Sequence, residues 1–397
     1  MRTITFIILI SCALTINAQD SFVSNYISLE KQIFIDKETK SANEFLYDFN
    51  SNTNEIAITF FSTKNQTDSI CFYIYNTETD SISQEFYVIK NIWKSIIKNS
   101  TFGNIAISKN YIVIIIQYYI YVLDRKTGKL IVEQENKLKI DKVDFLDEKL
   151  FLYCNYNYHI KSREIKTQFY LLSIPDFTML NETQPKFDVI QYSHISPNHW
   201  IDVQNNKILF SNTVNYKINL FDNNFKLKDT IYLPQNIDWK SPTKTDIKKI
   251  QKQQEAISII FKIGKHENDK ERIHGIYWIS DSAFMVHIKK GVGNSIESLH
   301  YNSFFDIWKN KNGEWYLDKY HLKDKNFSEI KLENNEYSLF GCFNSIFTEK
   351  YIYNLTFKAP ISLQNISTEE YLNQSKIYFY DNDPVFQIIK IKHILND

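Results

Sequence analysis

The sequence predicts an all-β fold, a six-bladed β-propeller with a helical insertion between the fourth and fifth blades. Three observations support this prediction: a hairpin-like segment recurs six times, a short apolar run precedes each copy, and the first copies are evenly spaced. Short runs of Ile, Val, Tyr and Phe that are bounded by Asn, Asp and Lys are typical of strands. Because such repeats bury their apolar faces only against their neighbours, they are expected to pack as blades around an axis.

The hairpin-like segments share strand patterning and turn residues but no reactive group. They are FYIYNTETDSI (72–82), IYVLDRKTGKLI (120–131), FYLLSIPDFTML (169–180), INLFDNNFKLKDTI (218–231), FFDIWKNKNGEWYL (304–317) and IYFYDNDPVFQII (377–389). The apolar runs before them span residues 56–60, 111–116, 150–153, 208–210, 283–288 and 351–355. Three or four strands per repeat are therefore expected.

The spacing of the repeats fits propeller blades. The equivalent turn positions are Asn76, Asp124, Pro175, Asp222, Lys309 and Asp381, which gives steps of 48, 51, 47, 87 and 72 residues. The first three steps match a four-stranded blade of about 40 to 50 residues. The last two steps therefore contain insertions.

The two ends of the chain are predicted to close the ring. The extended segment Lys31 to Ile35 (KQIFI) precedes the first repeat, and Phe386 to Ile391 (FQIIKI) lies in the last. Pairing between them removes the open sheet edges that an unclosed ring would leave. We therefore expect the first of these segments to join the last blade.

Asn and Asp are expected to build the turns. Glycine and proline number only 8 and 7 in the whole chain. Asn and Asp tolerate left-handed backbone conformations and bond to the nearby backbone, so they replace glycine in tight turns. The pairs Asn223 with Asn224, Asn310 with Asn312 and Asp381 with Asn382 lie where such turns are needed.

The larger insertion, at about residues 235–275, has a different pattern. Ser241 and Pro242 form a helix start signal, and apolar residues then recur on one side of a helix at Ile247, Ile250, Ile257 and Ile260. A helix of about four to five turns is predicted. It is expected to be either a lid or docking arm over the ring, or a solvated ornament on its rim.

The N-terminus resembles a secretory signal peptide. Residues 1–18 combine Arg2, an apolar run from Ile4 to about Ile16 and the small residue Ala18, and the run is too short for a membrane span of about 20 residues. Cleavage after Ala18 would leave residues 19–397 as a single propeller domain. Cys12, after Leu-Ile-Ser, offers the alternative of a lipid anchor. The predicted location is periplasmic or secreted, or alternatively that of an outer-membrane lipoprotein.

Composition excludes several classes of partner and cofactor. The 46 basic and 46 acidic residues balance, so no nucleic-acid partner is expected. No later segment is long enough for a transmembrane span. Three cysteines, Cys71, Cys154 and Cys342, remain after cleavage and are expected to be buried thiols, with Cys71 and Cys342 in neighbouring blades if the ring closes.

No motif assigns an activity. The chain has no phosphate-binding loop, hydrolase elbow or dinucleotide fingerprint, and a quinone site is rejected because Asp124, Thr127 and Gly128 fit that pattern in one repeat only. No cofactor is therefore expected. His194 with His199, and His266 with His274, are interpreted as ordinary polar residues, so no metal site is predicted.

Three residues in or near the insertion are the candidate ligand-binding residues. Trp239 lies in the insertion, Trp278 follows it, and His274 lies between them. Aromatic faces there would stack on a sugar ring or a peptide, whereas tryptophans within blades usually belong to the core. Catalytic residues are not identified.

Three stretches carry a family resemblance. They are FLYDFNSNTNEIAITFF with FYIYNTET in the first blade, IYVLDRKTGKLI in the second, and the insertion after the fourth. On these the chain resembles the bacterial secreted six-bladed β-propeller proteins of unknown function. That resemblance implies a fold and an extracytoplasmic location, and it supplies no catalytic residues.

A non-catalytic binding module for a protein, peptide or glycan partner is the predicted function. Function in propellers resides in the loops around the channel and not in the fold itself. The alternative is a carbohydrate-active or other hydrolytic enzyme with carboxylates at the mouth of the ring. Carboxyl groups that converge in an aromatic-lined pocket, with one raised pKa, would favour the enzyme.

Overall fold

The computed structural model describes residues 27–35, 44–61, 69–89, 103–116, 119–136, 138, 140–156, 166–185, 200–211, 215–241, 269–292, 300–323, 329–332, 335–338, 345–357, 386–393 and 395. Within these residues the chain forms 26 strands and no helix. The first thirteen strands are β1 (Ile27–Ile35), β2 (Glu44–Asn50), β3 (Glu55–Phe61), β4 (Ser69–Asn76), β5 (Ser81–Ile89), β6 (Gly103–Ile107), β7 (Tyr111–Ile116), β8 (Tyr119–Asp124), β9 (Leu130–Glu135), β10 (Ile140–Leu146), β11 (Lys149–Tyr156), β12 (Lys166–Leu172) and β13 (Met179–Thr183). The others are β14 (Ile201–Gln204), β15 (Lys207–Ser211), β16 (Lys217–Asp222), β17 (Leu227–Tyr232), β18 (Glu271–Ser280), β19 (Ala283–Val292), β20 (His300–Lys311), β21 (Glu314–Lys323), β22 (Glu329–Leu332), β23 (Asn335–Ser338), β24 (Ser345–Phe347), β25 (Tyr351–Phe357) and β26 (Phe386–His393).

Six four-stranded antiparallel sheets form the blades of a propeller, which confirms the predicted fold. From the innermost strand outwards, blades 1 to 5 are β2-β3-β4-β5, β6-β7-β8-β9, β10-β11-β12-β13, β14-β15-β16-β17 and β18-β19-β20-β21. Blade 6 is β24-β25-β26-β1, and β22 and β23 form a separate hairpin. Each blade has an inner turn between its first and second strands and, in blades 1 to 5, an outer turn between its third and fourth.

The predicted closure of the ring is confirmed residue by residue. In the last blade, Lys31 pairs with Lys390 and Ile35 pairs with Phe386. The Lys390 ammonium also donates to both carboxylate oxygens of Asp80, at 2.7 and 2.6 Å, in the outer turn of blade 1. The last blade is therefore joined to the first by an ion pair as well as by apolar packing.

Five of the six predicted hairpins are confirmed, and the last is wrong. The first five correspond to the third and fourth strands of blades 1 to 5. In blade 6 both edges of β26 are already occupied, by β25 on one side and by β1 on the other. No edge remains for a hairpin that turns at Asp381, which itself lies outside the described residues.

Apolar side chains fill the space between blades. Six clusters of buried residues are found in the described part of the chain, one at each boundary between consecutive blades, including the boundary between blades 6 and 1. Between blades 3 and 4, for example, the rings of Phe169 and Phe210 meet edge to face at 5.2 Å. Successive strand residues point to opposite faces, so each blade contributes to two clusters.

Asn and Asp build several turns, but the predicted positions are confirmed only in part. Asn312 has positive φ, whereas the left-handed residue next to Asn223 and Asn224 is Phe225, and Asp381 with Asn382 lies outside the described residues. The two-residue turns Asp147-Glu148 and Asn205-Asn206 have positive φ at both positions. This conformation matches the twist of the strands that it joins. Asn54 and Asn312 adopt the same left-handed region in other turns.

The helix predicted in the insertion lies outside the described residues. Both ends of the insertion are described, and they meet. The Glu271 amide donates to the Lys240 carbonyl at 2.9 Å, and the Lys240 ammonium lies 2.6 Å from a carboxylate oxygen of Asp269. The two described ends of the insertion therefore lie side by side at the start of β18 in blade 5. None of the described segments is a helix of the length and hydropathy that a bilayer crossing requires.

Candidate functional site

An aspartate repeats in the innermost strands of three blades. Asp48, Asp144 and Asp202 each lie two residues before the last paired residue of β2, β10 and β14. The local sequences are YDFN, VDFL and IDVQ. These residues lie outside the repeated hairpins, so the hairpin pattern does not point to them, whereas an alignment of the blades on their inner turns reveals them.

Two of these carboxylates join neighbouring blades. The Ile107 amide of β6 donates to Asp48 Oδ2 at 2.9 Å, and the Trp278 amide of β18 donates to Asp202 Oδ2 at 2.7 Å. Asp144 Oδ1 accepts the amide of Phe145 at 2.8 Å. Carboxylates that accept backbone N–H groups form strong, charge-assisted hydrogen bonds. The aspartates therefore hold innermost strands in place at blade boundaries 1–2 and 4–5.

A single lysine lies among the three carboxylates. Lys142 Nζ is 3.3 Å from Asp202 Oδ1 and 3.8 Å from Asp144 Oδ2. The side chains of Lys142 and Asp202 are 24% and 26% exposed, so this pair is accessible from the channel. We call Asp48, Lys142, Asp144 and Asp202 the channel cluster.

The charges of the channel cluster are unbalanced. Burial raises the pKa of Asp48 to about 6, although the Ile107 amide and Lys142 oppose this rise. Burial, followed by the charge of Asp48, also raises the pKa of Asp144. Burial disfavours the charge on Lys142, but the combined attraction of the three aspartates raises its pKa. One lysine therefore compensates three carboxyl groups only in part.

Two tyrosines lie close to the channel cluster. Burial raises the pKa of Tyr47, and the charges of Asp48 and Asp202 add to the effect. Burial also raises the pKa of Tyr277, with contributions from Tyr47 and Asp202. The cluster is thus bordered by aromatic groups from blades 1 and 5.

Hydrogen bonds between inner turns bridge one end of the channel, which we call the turn end. The Asn205 amide in blade 4 donates to Ser51 Oγ in blade 1 at 3.1 Å, although these blades lie opposite each other in the ring. Asn205 Nδ2 also donates to Asp281 Oδ1 in blade 5 at 2.8 Å. Outer turns lie at the same end, since the Thr77 amide donates to the Asn54 carbonyl at 2.9 Å. A ligand would therefore reach the channel cluster from the opposite end, the loop end.

A second polar cluster is buried between blades 4 and 5. The Tyr216 hydroxyl donates to Asp306 Oδ2 at 2.9 Å and accepts the Trp308 indole N–H at 2.8 Å. Asp306 Oδ1 accepts the amide of His321 at 2.7 Å. The His321 ring lies 3.9 Å from Glu271. Asp306 is fully buried.

Burial controls the ionisation of this second cluster. It raises the pKa of Asp306 to about 7, with a smaller contribution from the charge of Glu271, while the His321 amide and Tyr216 oppose the rise. Burial also lowers the pKa of His321, against the attraction of Glu271. Burial therefore favours the protonated form of Asp306 more than that of an ordinary aspartate.

The structure brings together two of the three predicted ligand-binding residues. Trp239 and Trp278 belong to the same apolar cluster between blades 4 and 5, where Trp278 is 2% exposed. The Trp239 ring meets Tyr216 edge to face at 5.2 Å. His274 instead lies 4.9 Å from the ring of His287, which stacks on Phe305 of the boundary between blades 5 and 6. A ligand-binding role for these residues stays a prediction.

Other candidates are only partly described. His194, His199, His266 and Cys342 lie outside the described residues, and the Cys71 side chain is not described. Cys154 is fully buried, as expected, and burial raises the pKa of its thiol. In the part of the chain that the structure describes, no group of three or more His, Cys, Asp or Glu side chains is placed to hold a metal ion.

Known structures resemble this chain in fold. No protein-family model and no curated protein matches the chain. A member of the DUF4221 family from Bacteroides vulgatus is similar over 94% of this chain and 99% of that chain, with 13% identity and a TM-score of 0.48. Kuenenia stuttgartiensis hydrazine synthase is similar over 89% and 88%, with 9% identity and a TM-score of 0.40. The N-terminal domain of Nup159 is similar over 87% and 75%, with 9% identity and a TM-score of 0.37. These similarities concern the fold and give no information on ligand or activity.

Proposed function

We propose that this protein is a non-catalytic binding propeller that acts outside the cytoplasm. The observation that carries the proposal is the state of the channel carboxylates. Asp48 and Asp202 accept backbone N–H groups of the neighbouring blades, and Asp202 also lies 3.3 Å from Lys142. Groups committed in this way stabilise the ring and are poor proton donors or acceptors for a substrate.

The convergence of carboxyl groups does not by itself favour a hydrolase. A general acid or base must reach the reacting atom within hydrogen-bond distance, directly or through one water. Asp144, whose pKa is raised, is buried and accepts its own neighbouring amide. The pair that is partly exposed is instead Lys142 with Asp202, which presents one positive and one negative charge. Such a pair suits binding of a polar ligand group more than acid–base catalysis.

The loop end is the binding end in this proposal. Inner turns of blades 1 and 4 meet at the other end, so in this proposal the partly exposed Lys142 and Asp202 are reached from the loop end. A peptide or glycan supplies polar groups of both kinds that this pair can bind. We also propose that the helix predicted within the insertion acts as a docking arm at this end. The base of the insertion is fixed to blade 5, because the Glu271 amide donates to the Lys240 carbonyl.

Array binding together with a turnover assay tests the binding role. Labelled protein is applied to glycan and peptide arrays, and the same preparation is incubated with 4-nitrophenyl glycosides and esters. We expect retention on one array, reduced by Lys142→Met, and no release of nitrophenol. Lys217→Met, a change at β16 outside the channel cluster, is the control. Release of nitrophenol that disappears in Asp202→Asn would refute the proposal in favour of the hydrolase.

Location is tested separately. We propose that the N-terminal segment directs the chain out of the cytoplasm, as its basic start and short apolar run indicate. Mass spectrometry of the protein recovered from a bacterial host is expected to show Gln19 as the first residue. A diacylated Cys12 would support the lipoprotein alternative, and an intact Met1 in the cytoplasmic fraction would contradict both.

A further inference from the structure

Exposed apolar side chains concentrate at the turn end of the outermost strands. Nine large apolar side chains are exposed in the described part of the chain, and seven lie within the first three residues of an outermost strand. The seven are Ile82, Leu130, Ile131, Met179, Leu180, Leu227 and Tyr316. Single exposed apolar residues are ordinary on a protein surface. Their shared position in consecutive blades is the unusual feature.

Four of these residues occupy one structural position. Ile82, Leu130, Met179 and Leu227 each pair with the third strand of their blade just before a β-bulge. They are 39%, 37%, 48% and 50% exposed, in blades 1 to 4. We call these four, with Ile131 and Leu180, the apolar rim. Every member follows an outer turn, so the rim runs along the turn end of four consecutive blades.

The N-terminus joins the ring at the same end. Ile27 pairs with His393, and the His393 amide donates to the Lys350 carbonyl in the inner turn of blade 6 at 3.0 Å. The described part of the chain therefore begins at the turn end. The residues before Ile27 include Cys12, so a lipid at Cys12, the alternative to cleavage after Ala18, would present this end of the propeller to a membrane.

Charges at the turn end have both signs. Lys129 and Lys226 directly precede rim residues and are exposed, and Glu78 and Asp176 lie in the neighbouring outer turns. Asp176 is bound by the hydroxyls of its own turn. Contact through the rim would therefore depend on apolar side chains more than on the charge of the partner.

We propose that the apolar rim rests on a lipid bilayer, to which a lipid at Cys12, in the lipoprotein alternative, would add a tether at the same end. Peripheral proteins bind a membrane interface through buried apolar area, and a single lipid chain holds a protein only weakly unless a second contact is present. The rim supplies this second contact. Binding at the loop end then faces away from the membrane, so lipid contact and ligand binding use opposite ends of the ring.

Vesicle flotation tests the rim. The full chain carries Cys12→Ala, which removes any attached lipid, and is mixed with phosphatidylcholine vesicles with or without phosphatidylglycerol. A variant with Leu130→Ser, Ile131→Ser, Met179→Ser and Leu180→Ser should bind at least about tenfold more weakly, a loss of about 1.4 kcal/mol or more. Tyr232→Ser, which removes an exposed side chain at the other end of β17, is the matched control and should bind like the parent. Both lipid mixtures should bind equally.

Flotation that is unchanged by the rim substitutions, or that requires phosphatidylglycerol, would overturn the proposal. It would also be overturned if neither protein bound vesicles and the parent formed dimers in solution that the rim variant did not form. Because the rim variant has four changes, a single-site label provides a second measurement. A polarity-sensitive fluorophore on Ile131→Cys should shift to the blue with vesicles, and one on Tyr232→Cys should not. This inference uses the proposed location only for its tether, and array binding at the loop end can fail independently of flotation.

Discussion

Asp48 shows how a half-buried carboxyl group stabilises a blade boundary and opposes folding at the same time. Its carboxylate accepts the Ile107 amide of the next blade, yet burial raises its pKa to about 6. An unfolded aspartate has a pKa of about 3.9. The Asp48 carboxyl group therefore binds its proton more tightly in the folded chain than in the unfolded chain. The stability that this protonated group contributes is lost as pH rises from about 4 to about 6.

Asp48→Asn should make the protein more stable at neutral pH and leave it little changed below pH 4. Asparagine keeps an oxygen for the Ile107 amide and removes the buried charge. The expected gain at neutral pH is up to about 3 kcal/mol, from about two pKa units. Urea unfolding at a series of pH values measures it. Asp238→Asn, at an exposed position, is the control, and a gain that is equal at every pH would contradict the assignment.

Tyr216 holds two buried polar groups at once. Its hydroxyl donates to Asp306 and accepts the Trp308 indole N–H. Tyr216→Phe should therefore lower the free energy of unfolding by about 1–3 kcal/mol, because both partners remain buried without this bond. Chemical denaturation measures the change. The same substitution at exposed Tyr232 is the control, and equal effects at the two sites would show that the hydroxyl contributes nothing.

At the scale of elements, β1 determines whether the ring closes. Ile35 is 1% exposed and packs in the cluster between blades 6 and 1. Ile35→Ala should lower the free energy of unfolding by about 2–5 kcal/mol, as is usual for a buried isoleucine. Ile131→Ala, at a position that is 42% exposed, should have a much smaller effect. If the two variants had the same thermal unfolding midpoint, the packing of β1 would contribute little to stability and β1 would not act as a closing strand.

Strand periodicity predicted most elements because each strand's pattern is local. The apolar runs and the first five hairpins follow from it, whereas the pairing of segment 31–35 with 386–391 was expected because a closed ring leaves no open edge. The sixth hairpin failed because turn residues at Asp381 resemble those of a hairpin, while the choice of partner strand depends on the whole ring. That β1 occupies the second edge of β26 depends on residues far apart in the chain, so a short stretch of sequence cannot predict it.

For the whole molecule, six apolar boundaries make the ring a single folding unit. Each blade packs on two neighbours, so loss of one boundary exposes the faces of both. Tryptophans of the described residues lie in or beside blades 4 and 5. Their fluorescence therefore reports the unfolding of blades 4 and 5 and not that of blade 1.

Ile74→Ala in blade 1 should shift the unfolding curves of circular dichroism and tryptophan fluorescence by the same amount. Ile74 is fully buried between blades 1 and 2. A Trp93→Phe background removes the tryptophan nearest to blade 1 in sequence. Urea denaturation followed by both signals is the measurement. A fluorescence midpoint that stays in place while the dichroism midpoint falls would show that blades unfold separately.

The site was less accessible to sequence reasoning than the fold. Trp239, His274 and Trp278 were selected for residue type, and the structure places Trp278 inside a blade boundary. The channel cluster was missed because Asp48, Asp144 and Asp202 are distant in sequence, and one aspartate in a strand carries little information. Their convergence depends on six innermost strands that meet around an axis.

The pairing of β1 with β26 also determines the order of assembly during synthesis. Ile27 is among the first residues of the ring to be made, and its partner His393 is among the last. Throughout elongation, β1 lacks its partner strand, and unpaired edges favour aggregation. A nascent chain that ends before residue 386 lacks this partner entirely. Truncated products should therefore be substrates for chaperones or proteases until the last strand arrives.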